Sequence, residues 1–98
     1  MAEKFVFREK AKQQLNDSFD WYEEQKEFLG DEFVIEVYEK LEQITERPYS
    51  NPIVFDDVRR ASLYRFPFFI YYAIRDAIIQ VLAIWLKRRE THPKVEKG

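Results

Sequence analysis

Five basic residues in the second half of this 98-residue chain could bind an anion: Arg60, Arg65, Lys87, Arg88 and Arg89. Arginine offers a planar fork of donors that matches a carboxylate or a phosphate, and lysine offers a compact point charge. If these side chains converged, they would form a cleft for phosphate or for the carboxylates of a partner protein. The helices and strands that carry these side chains therefore determine whether they converge.

The charges of the chain are segregated along the sequence. Residues 1–50 hold seven lysines and arginines against thirteen acidic residues, whereas residues 51–98 hold nine against five. The first half therefore has a balance of -6 and the second half one of +4. This pattern suits an acidic partner or a polyanion, and an ordinary solvated surface explains it equally well.

Few other side chains of the sequence could take part in catalysis or metal binding. Asp56 and Asp57 are adjacent, so on a strand they would point apart, and the pattern favours a turn over a metal site or an acid-base pair. The single histidine, His92, lies beside Pro93 in the tail, and no cysteine is present. The sequence therefore assigns no catalytic residue and predicts no metal site and no cofactor.

Three consecutive strands dominate the region from Val58 to Trp85, which is rich in β-branched and aromatic residues. They are predicted at Arg59 to Phe66, Phe68 to Ile74, and Ile78 to Trp85. The second and third are apolar on both faces. Because the chain has helices enough for only one face, we expect a partner to cover the other.

Strand alternation assigns the side chains to faces. Arg60 and Arg65 fall on opposite faces, which argues against a joint clamp and allows each to pair with helix carboxylates instead. Tyr71 is expected in or near the core, with base stacking the minority alternative. On the third strand, strict alternation places Ile79, Val81, Ala83 and Trp85 on one face. Trp21 and Trp85 are expected at buried edges of the packing, where either could also anchor a partner helix.

The first half of the chain supplies a strand and two helices. A short strand is predicted at Lys4 to Arg8, and the spacing of apolar residues predicts an amphipathic helix from Lys10 to Lys26. Gly30 is interpreted as the breaker, with Asp31 as the cap of a second helix that ends at Arg47 before Pro48. Tyr49 to Asp57 is predicted to be a loop.

These elements predict an α+β fold of order β-α-α-β-β-β. A helical hairpin packs on one face of a small, mainly antiparallel sheet. Residues 1–90 form one domain, and residues 91–98 form a flexible tail. The N-terminus lacks an apolar leader and no apolar run reaches the ~20 residues of a membrane helix, so we expect a cytoplasmic protein without membrane association.

Several phrases of the sequence resemble the RelE/ParE superfamily, and its ParE-like branch most closely. They are DWYEEQ at residues 20–25, GDEF at 30–33, DDVRRASLYRFPFFIYY at 56–72 and VLAIWLKRRE at 81–90. The resemblance implies the toxin of a bacterial type II toxin-antitoxin system. It also implies a cognate antitoxin that wraps an extended segment and a helix around the toxin, and operator DNA bound only through that antitoxin.

The resemblance implies either DNA gyrase or the ribosome as the cellular target. Ribonuclease members tend to have an arginine on the second strand, where this chain has Phe69, and a histidine or tyrosine near the end of the last strand, where it has Leu86. We therefore favour gyrase inhibition. The alternatives are a ribosome-dependent mRNA endoribonuclease and a degenerate member that binds an antitoxin without toxicity. The residues expected to bind antitoxin or target are Arg60, Arg65, Tyr71, Trp85, Lys87, Arg88 and Arg89.

Overall fold

Two helices cover one face of a five-stranded sheet in the structure, a computed structural model that describes residues 4–87 and Pro93. The elements are β1 (Phe5–Phe7), α1 (Glu9–Gln25), α2 (Leu29–Glu46), β2 (Ile53–Phe55), β3 (Val58–Ser62), β4 (Phe68–Arg75) and β5 (Ile78–Leu86). The strand order is β1-β5-β4-β3-β2, and β1 runs parallel to β5 while the other pairs are antiparallel. The predicted α+β fold is confirmed.

One strand was not anticipated. The segment predicted as a loop from Tyr49 to Asp57 contains β2, whose Ile53 pairs with Arg59 of β3. Pro48 precedes the segment and Pro52 lies within it, and both favoured a loop, but Ile53, Val54 and Phe55 have high β-propensity and need only one neighbour to pair with. The order is therefore β-α-α-β-β-β-β.

The helices pack through the apolar spacing that the sequence predicts. Ala11 and Leu15 are the buried residues of α1, and Phe33, Val37, Leu41 and Ile44 recur at helical spacing as the large buried residues of α2. They form one core with the helix-facing side chains of the sheet. Among the described residues, no helix is long and apolar enough to span a membrane.

The turn between the helices differs from the prediction. The helix cap is Phe28, which adopts a left-handed conformation with φ of 67°, and Asp31 lies inside the first turn of α2 instead of capping it. Glu23 of α1 accepts hydrogen bonds from the backbone N–H groups of Phe28 (3.3 Å) and Gly30 (2.9 Å). The carboxylate of Glu23, and not that of Asp31, therefore binds free backbone N–H groups at the start of α2.

Gly30 does not break the helix, because it is a buried residue of α2. A Cβ atom there would lie 2.6 Å from the backbone oxygen of Phe19 and 2.7 Å from its Cδ1. Glycine is needed at this position for the close approach of the two helices and not for chain reversal.

A bulge in β5 overturns the predicted alternation of that strand. Tyr71 pairs with Ala83 whereas Tyr72 pairs with Val81, so Leu82 is an extra residue. Ile79 and Val81 belong to the core under the helices, but Ala83 and Trp85 lie in the cluster on the other face. The bulge thus turns Trp85 away from the helices.

The second face of the sheet carries its own apolar cluster. Val58, Tyr71, Ala73, Leu82 and Ala83 are each at most 2% exposed, although no partner chain is present. The chain itself therefore buries this part of the face, and the expectation that a partner must cover it was wrong here. The short strand β2, which the sequence did not predict, supplies Val54 and Phe55 to this cluster.

Candidate partner-binding surface

Phe69 lies where strand pairing brings three strands together near one end of the sheet. It pairs with Ser62 of β3 on one side and with Trp85 of β5 on the other. Because directly paired residues share a face, Phe69 and Trp85 pack beside the cluster on the second face. Phe69 is only partly buried, so its ring remains available to neighbouring side chains.

Two cations meet at this ring. The guanidinium carbon of Arg60 lies 4.1 Å from the ring centroid of Phe69, and Nζ of Lys87 lies 5.4 Å from the same centroid. The Lys87 ammonium group also donates to the carbonyl of Leu63 at 3.0 Å, which holds the side chain across the end of the sheet. Arg60, Phe69 and Lys87 are hereafter the basic-aromatic cluster.

The electrostatics of this cluster favour an anion. Each cation is attracted to the ring, but the two positive charges repel each other. Among residues 4–87, no carboxylate pairs with Arg60 or Lys87, whereas Arg65 and Arg75 each form an ion pair. A carboxylate or phosphate placed at the cluster would relieve the repulsion and gain charge-assisted hydrogen bonds.

Arg65 is not part of this cluster. It lies in the turn after β3, which ends at Ser62 and not at Phe66 as predicted, and its Nη2 donates to Glu32 of α2 at 2.7 Å. The backbone N–H groups of Tyr64 and Arg65 both donate to the carboxylate of Glu36. Arg65 therefore fastens the turn to α2, in keeping with the expectation that it lies apart from Arg60 and pairs with helix carboxylates.

Tyr71 is a core residue, with 1% of its surface exposed. Its ring contacts Phe69 and Phe55 at centroid distances of 6.2 and 6.4 Å. The structure therefore supports the prediction that Tyr71 lies in the core, and not the alternative of base stacking. A buried ring of this kind can support the basic-aromatic cluster from below but has no exposed face on which a base could stack.

The two tryptophans border one groove of about 520 Å³ between α1 and the ends of β4 and β5. Trp85 is partly buried, whereas Trp21 is 56% exposed, so the expectation of a buried edge was wrong for Trp21. Pro67, Phe68 and Leu86 contribute to the lining. The groove is mostly apolar, although Gln14, Asp17 and Ser18 also line it, and it lies beside Lys87, which follows Leu86 directly.

The adjacent aspartates have the structural role that the sequence favoured. Asp56 adopts φ of 48° in the turn between β2 and β3, and Asp57 accepts two hydrogen bonds from Arg75, at 3.0 and 3.1 Å. These hydrogen bonds and the positive charge of Arg75 lower the pKa of Asp57. Within the described part of the chain, no group of three metal-ligating side chains is assembled.

Phe69 is the member of the cluster that sequence analysis did not propose as a binding residue. Its apolar ring indicated a packing role, and the position was considered only because ribonuclease members tend to have an arginine there. Alternation places Phe69 on the face of Tyr71, which offered a partial signal, but the convergence of Arg60 and Lys87 needs the strand register. Arg88, Arg89 and His92 lie outside the described residues.

Comparison with known proteins agrees with this architecture. The family model for the ParE toxin of the type II toxin-antitoxin system parDE matches residues 5–91. A solved structure described as the chromosomal ParDE TA system from P. aeruginosa superposes with a TM-score of 0.73 at 20% identity, covering 87% of this chain and 98% of that chain. No curated protein matches the sequence. At 20% identity the structural likeness supports the fold alone, but the family model spans nearly the whole chain, and the chain therefore belongs to the ParE toxin family of type II toxin-antitoxin systems.

Proposed function

We propose that this ParE-family toxin inhibits DNA gyrase and is neutralised by a cognate antitoxin whose carboxylates bind the basic-aromatic cluster. The observation that carries the proposal is the environment of Phe69. An apolar ring covered by Arg60 and Lys87 occupies the position where the ribonuclease branch tends to have an arginine. Two cations around a ring form a contact surface for an acidic segment.

Within the basic-aromatic cluster, Lys87 is the one side chain that could transfer a proton, since Arg60 stays protonated and Phe69 is apolar. Cleavage of RNA by attack of a 2'-hydroxyl needs one group to take a proton and another to give one. Tyr71 is buried below Phe69, and Leu86 stands at the end of β5. These observations favour an inhibitor that acts by binding its target, and they argue against a ribonuclease.

The cellular target is tested by expressing the chain under tight control in bacteria. Plasmid supercoiling, the response to DNA damage and the integrity of translated mRNA are followed in the same culture. Loss of negative supercoiling with DNA damage and intact mRNA is the expected result. Rapid cleavage of translated mRNA without DNA damage would overturn the gyrase proposal in favour of the endoribonuclease, and growth without any of these effects would favour the degenerate alternative.

The role of the cluster is tested on the purified complex with the antitoxin from the same operon. Arg60→Gln and Lys87→Met remove the charges while keeping much of each side chain, and we expect each to weaken antitoxin binding by roughly tenfold or more. Lys40→Met is the matched control, since Lys40 lies on α2 and bonds to Gln43. Unchanged affinity in both cluster variants, with intact folding, would rule out the proposed contact.

A further inference from the structure

The groove between α1 and the ends of β4 and β5 is held open by contacts on both of its walls. On the helix wall, the ring of Trp21 meets that of Tyr22 edge to face at a centroid distance of 5.1 Å, and Tyr22 packs on Phe66 at 5.0 Å. The hydrogen bond from Ile84 N–H to Oε1 of Gln14, at 2.9 Å, joins the two walls. The groove is therefore formed before any partner binds, which lowers the cost of binding.

Trp21 is the large apolar side chain that this groove leaves exposed. It is 56% exposed on the helix wall, whereas Trp85 on the opposite wall is partly buried. Tryptophan is enriched among the residues that dominate protein interfaces, because a rigid indole covers a large area at a small cost in side-chain entropy. Trp21 is therefore suited to anchor a partner.

Asp17 gives the groove its charge. Among the described residues that line the groove, it is the only charged one, and it lies one helical turn before Trp21 on the same face of α1. Its carboxylate forms no ion pair or hydrogen bond within residues 4–87. A cation placed on the indole of Trp21 would therefore find a free carboxylate beside it.

The helical hairpin continues this acidic surface beyond the groove. Residues 17–32 hold seven acidic residues and one lysine, a balance of -6 that equals the balance of the whole first half. Glu23 accepts from the backbone N–H groups of Phe28 and Gly30, and Glu32 pairs with Arg65. The other five acidic residues form no ion pair within the part of the chain that the structure describes: Asp17, Asp20, Glu24, Glu27 and Asp31.

This charge selects among the possible occupants of the groove. A symmetrical pair of copies would place two acidic surfaces against each other, and DNA would bring phosphates against the same carboxylates. An antitoxin segment whose carboxylates bind the basic-aromatic cluster has the wrong charge here as well. A basic segment of another protein is the occupant with complementary charge.

We infer that the groove receives a basic segment of DNA gyrase, with an arginine stacked on the indole of Trp21 and paired with Asp17. The inference rests on the proposed function, because it takes gyrase as the partner. An enzyme that binds DNA has surfaces rich in lysine and arginine, which complement the acidic hairpin. Arginine suits the groove better than lysine, because its guanidinium plane stacks on an indole while its donors bind a carboxylate. No residue of the basic-aromatic cluster lines the groove, so target and antitoxin contact different side chains.

The inference is tested by biolayer interferometry with the purified full chain and purified gyrase, in the presence of a linear DNA duplex. Trp21→Ala removes the stacking surface, and Asp17→Asn removes the charge with little change of shape. We expect Trp21→Ala to weaken gyrase binding by about tenfold or more and Asp17→Asn by about threefold to tenfold. Both variants should keep their affinity for the antitoxin, which Arg60→Gln and Lys87→Met weaken.

Two matched variants separate the groove from general effects of charge and aromatic content. Asp20→Asn removes the same charge from an exposed position of α1 that does not line the groove. Tyr64→Ala removes a ring that is 94% exposed in the turn after β3. Both should bind gyrase within about twofold of the original chain. Circular dichroism and urea unfolding check that every variant is folded.

Three results would overturn the inference while leaving gyrase as the target, since the original chain binds gyrase in each of them. The first is equal gyrase binding by the groove variants and the original chain. The second is a loss of antitoxin affinity in the groove variants, which would assign the groove to the antitoxin. The third is self-association of the original chain that Trp21→Ala abolishes, which would assign it to a second copy. If the original chain itself does not bind gyrase, the proposed function fails and the assignment of the groove to gyrase fails with it.

Discussion

At the scale of single residues, the hydroxyl group of Tyr72 ties the core to the segment after α2. It donates to the carbonyl of Pro48 at 2.9 Å and accepts from the side-chain amide of Asn51 at 3.1 Å. Burial raises the pKa of Tyr72, which keeps the hydroxyl protonated and able to donate. We expect Tyr72→Phe to lower the free energy of unfolding by about 1–2 kcal/mol, measured by urea denaturation, since both partners lose a hydrogen bond.

The matched control for this prediction is Tyr64→Phe. Tyr64 is 94% exposed, so removal of its hydroxyl group should leave the unfolding free energy within about 0.5 kcal/mol of the original. Equal stability of Tyr72→Phe and Tyr64→Phe would contradict the importance assigned to the Tyr72 hydrogen bonds.

Asp57 should make stability depend on pH. Its pKa is lowered in the folded chain by Arg75, so its contribution is present above the unfolded pKa near 3.9 and disappears as the pH falls through the folded pKa. The side chain is 54% exposed, which limits the contribution to less than about 1 kcal/mol. Asp57→Asn should therefore lower the unfolding free energy at neutral pH, and the difference should vanish in acid.

Urea denaturation at about pH 7 and at an acid pH where the folded chain has Asp57 protonated measures this difference in both protonation states. Asp76→Asn is a suitable control, because Asp76 has φ of 54° in the β4–β5 turn and asparagine accepts that conformation readily. A constant difference between Asp57→Asn and the original chain at both pH values would show that the ion pair is not its source.

At the scale of elements, the α1–α2 turn depends on two neighbouring positions with opposite requirements. Phe28 is 61% exposed with a positive φ, so Phe28→Gly should raise the unfolding free energy by up to about 1 kcal/mol. Gly30→Ala should lower it by about 1–3 kcal/mol, because the added Cβ meets the backbone of Phe19. The helix preference for alanine, about 1 kcal/mol, acts against this loss. Thermal and urea unfolding measure both changes. A loss of stability in Phe28→Gly or a gain in Gly30→Ala would contradict the prediction.

In addition to the apolar core, a side-chain hydrogen bond joins the bulged strand β5 to α1. Ile84 N–H donates to Oε1 of Gln14 at 2.9 Å, two residues beyond the extra residue Leu82. We expect Gln14→Leu to leave this partly buried N–H unpaired and to lower the unfolding free energy by about 1–2 kcal/mol. Gln13→Leu, at an exposed position on the same helix, is the control. Similar urea midpoints for the two variants would exclude a specific role for Gln14.

At the scale of the whole molecule, the charges that are separated along the sequence also lie on different faces of the fold. The acidic first half forms the helical hairpin on one face, and the basic-aromatic cluster lies on the other face of the sheet. If the antitoxin approaches through carboxylates, its association rate should fall as ionic strength rises, because salt screens long-range attraction. Stopped-flow mixing at several salt concentrations measures this. We expect a weaker salt dependence for Lys87→Met than for Lys40→Met, and equal dependence would contradict steering by the cluster.

Patterns of neighbouring residues were enough to predict both helices, four of the five strands and the family resemblance. Apolar spacing predicted the amphipathic helix α1, and two-sided apolar strands identified the centre of the sheet, because helix and strand periods are properties of neighbouring residues. The phrases around Arg59-Arg60 and Ile70-Tyr71-Tyr72 carried the family resemblance, which the match over residues 5–91 confirms.

Features that depend on residues far apart in the chain could be read from the tertiary structure alone. The bulge at Leu82, which turns Trp85 to the second face, arises from pairing between β4 and β5. The cap of α2 comes from Glu23 on another helix, and the exposure of Trp21 depends on what packs around it. Arg60 and Lys87 meet at Phe69 because strand register brings distant positions together, which no local preference can specify.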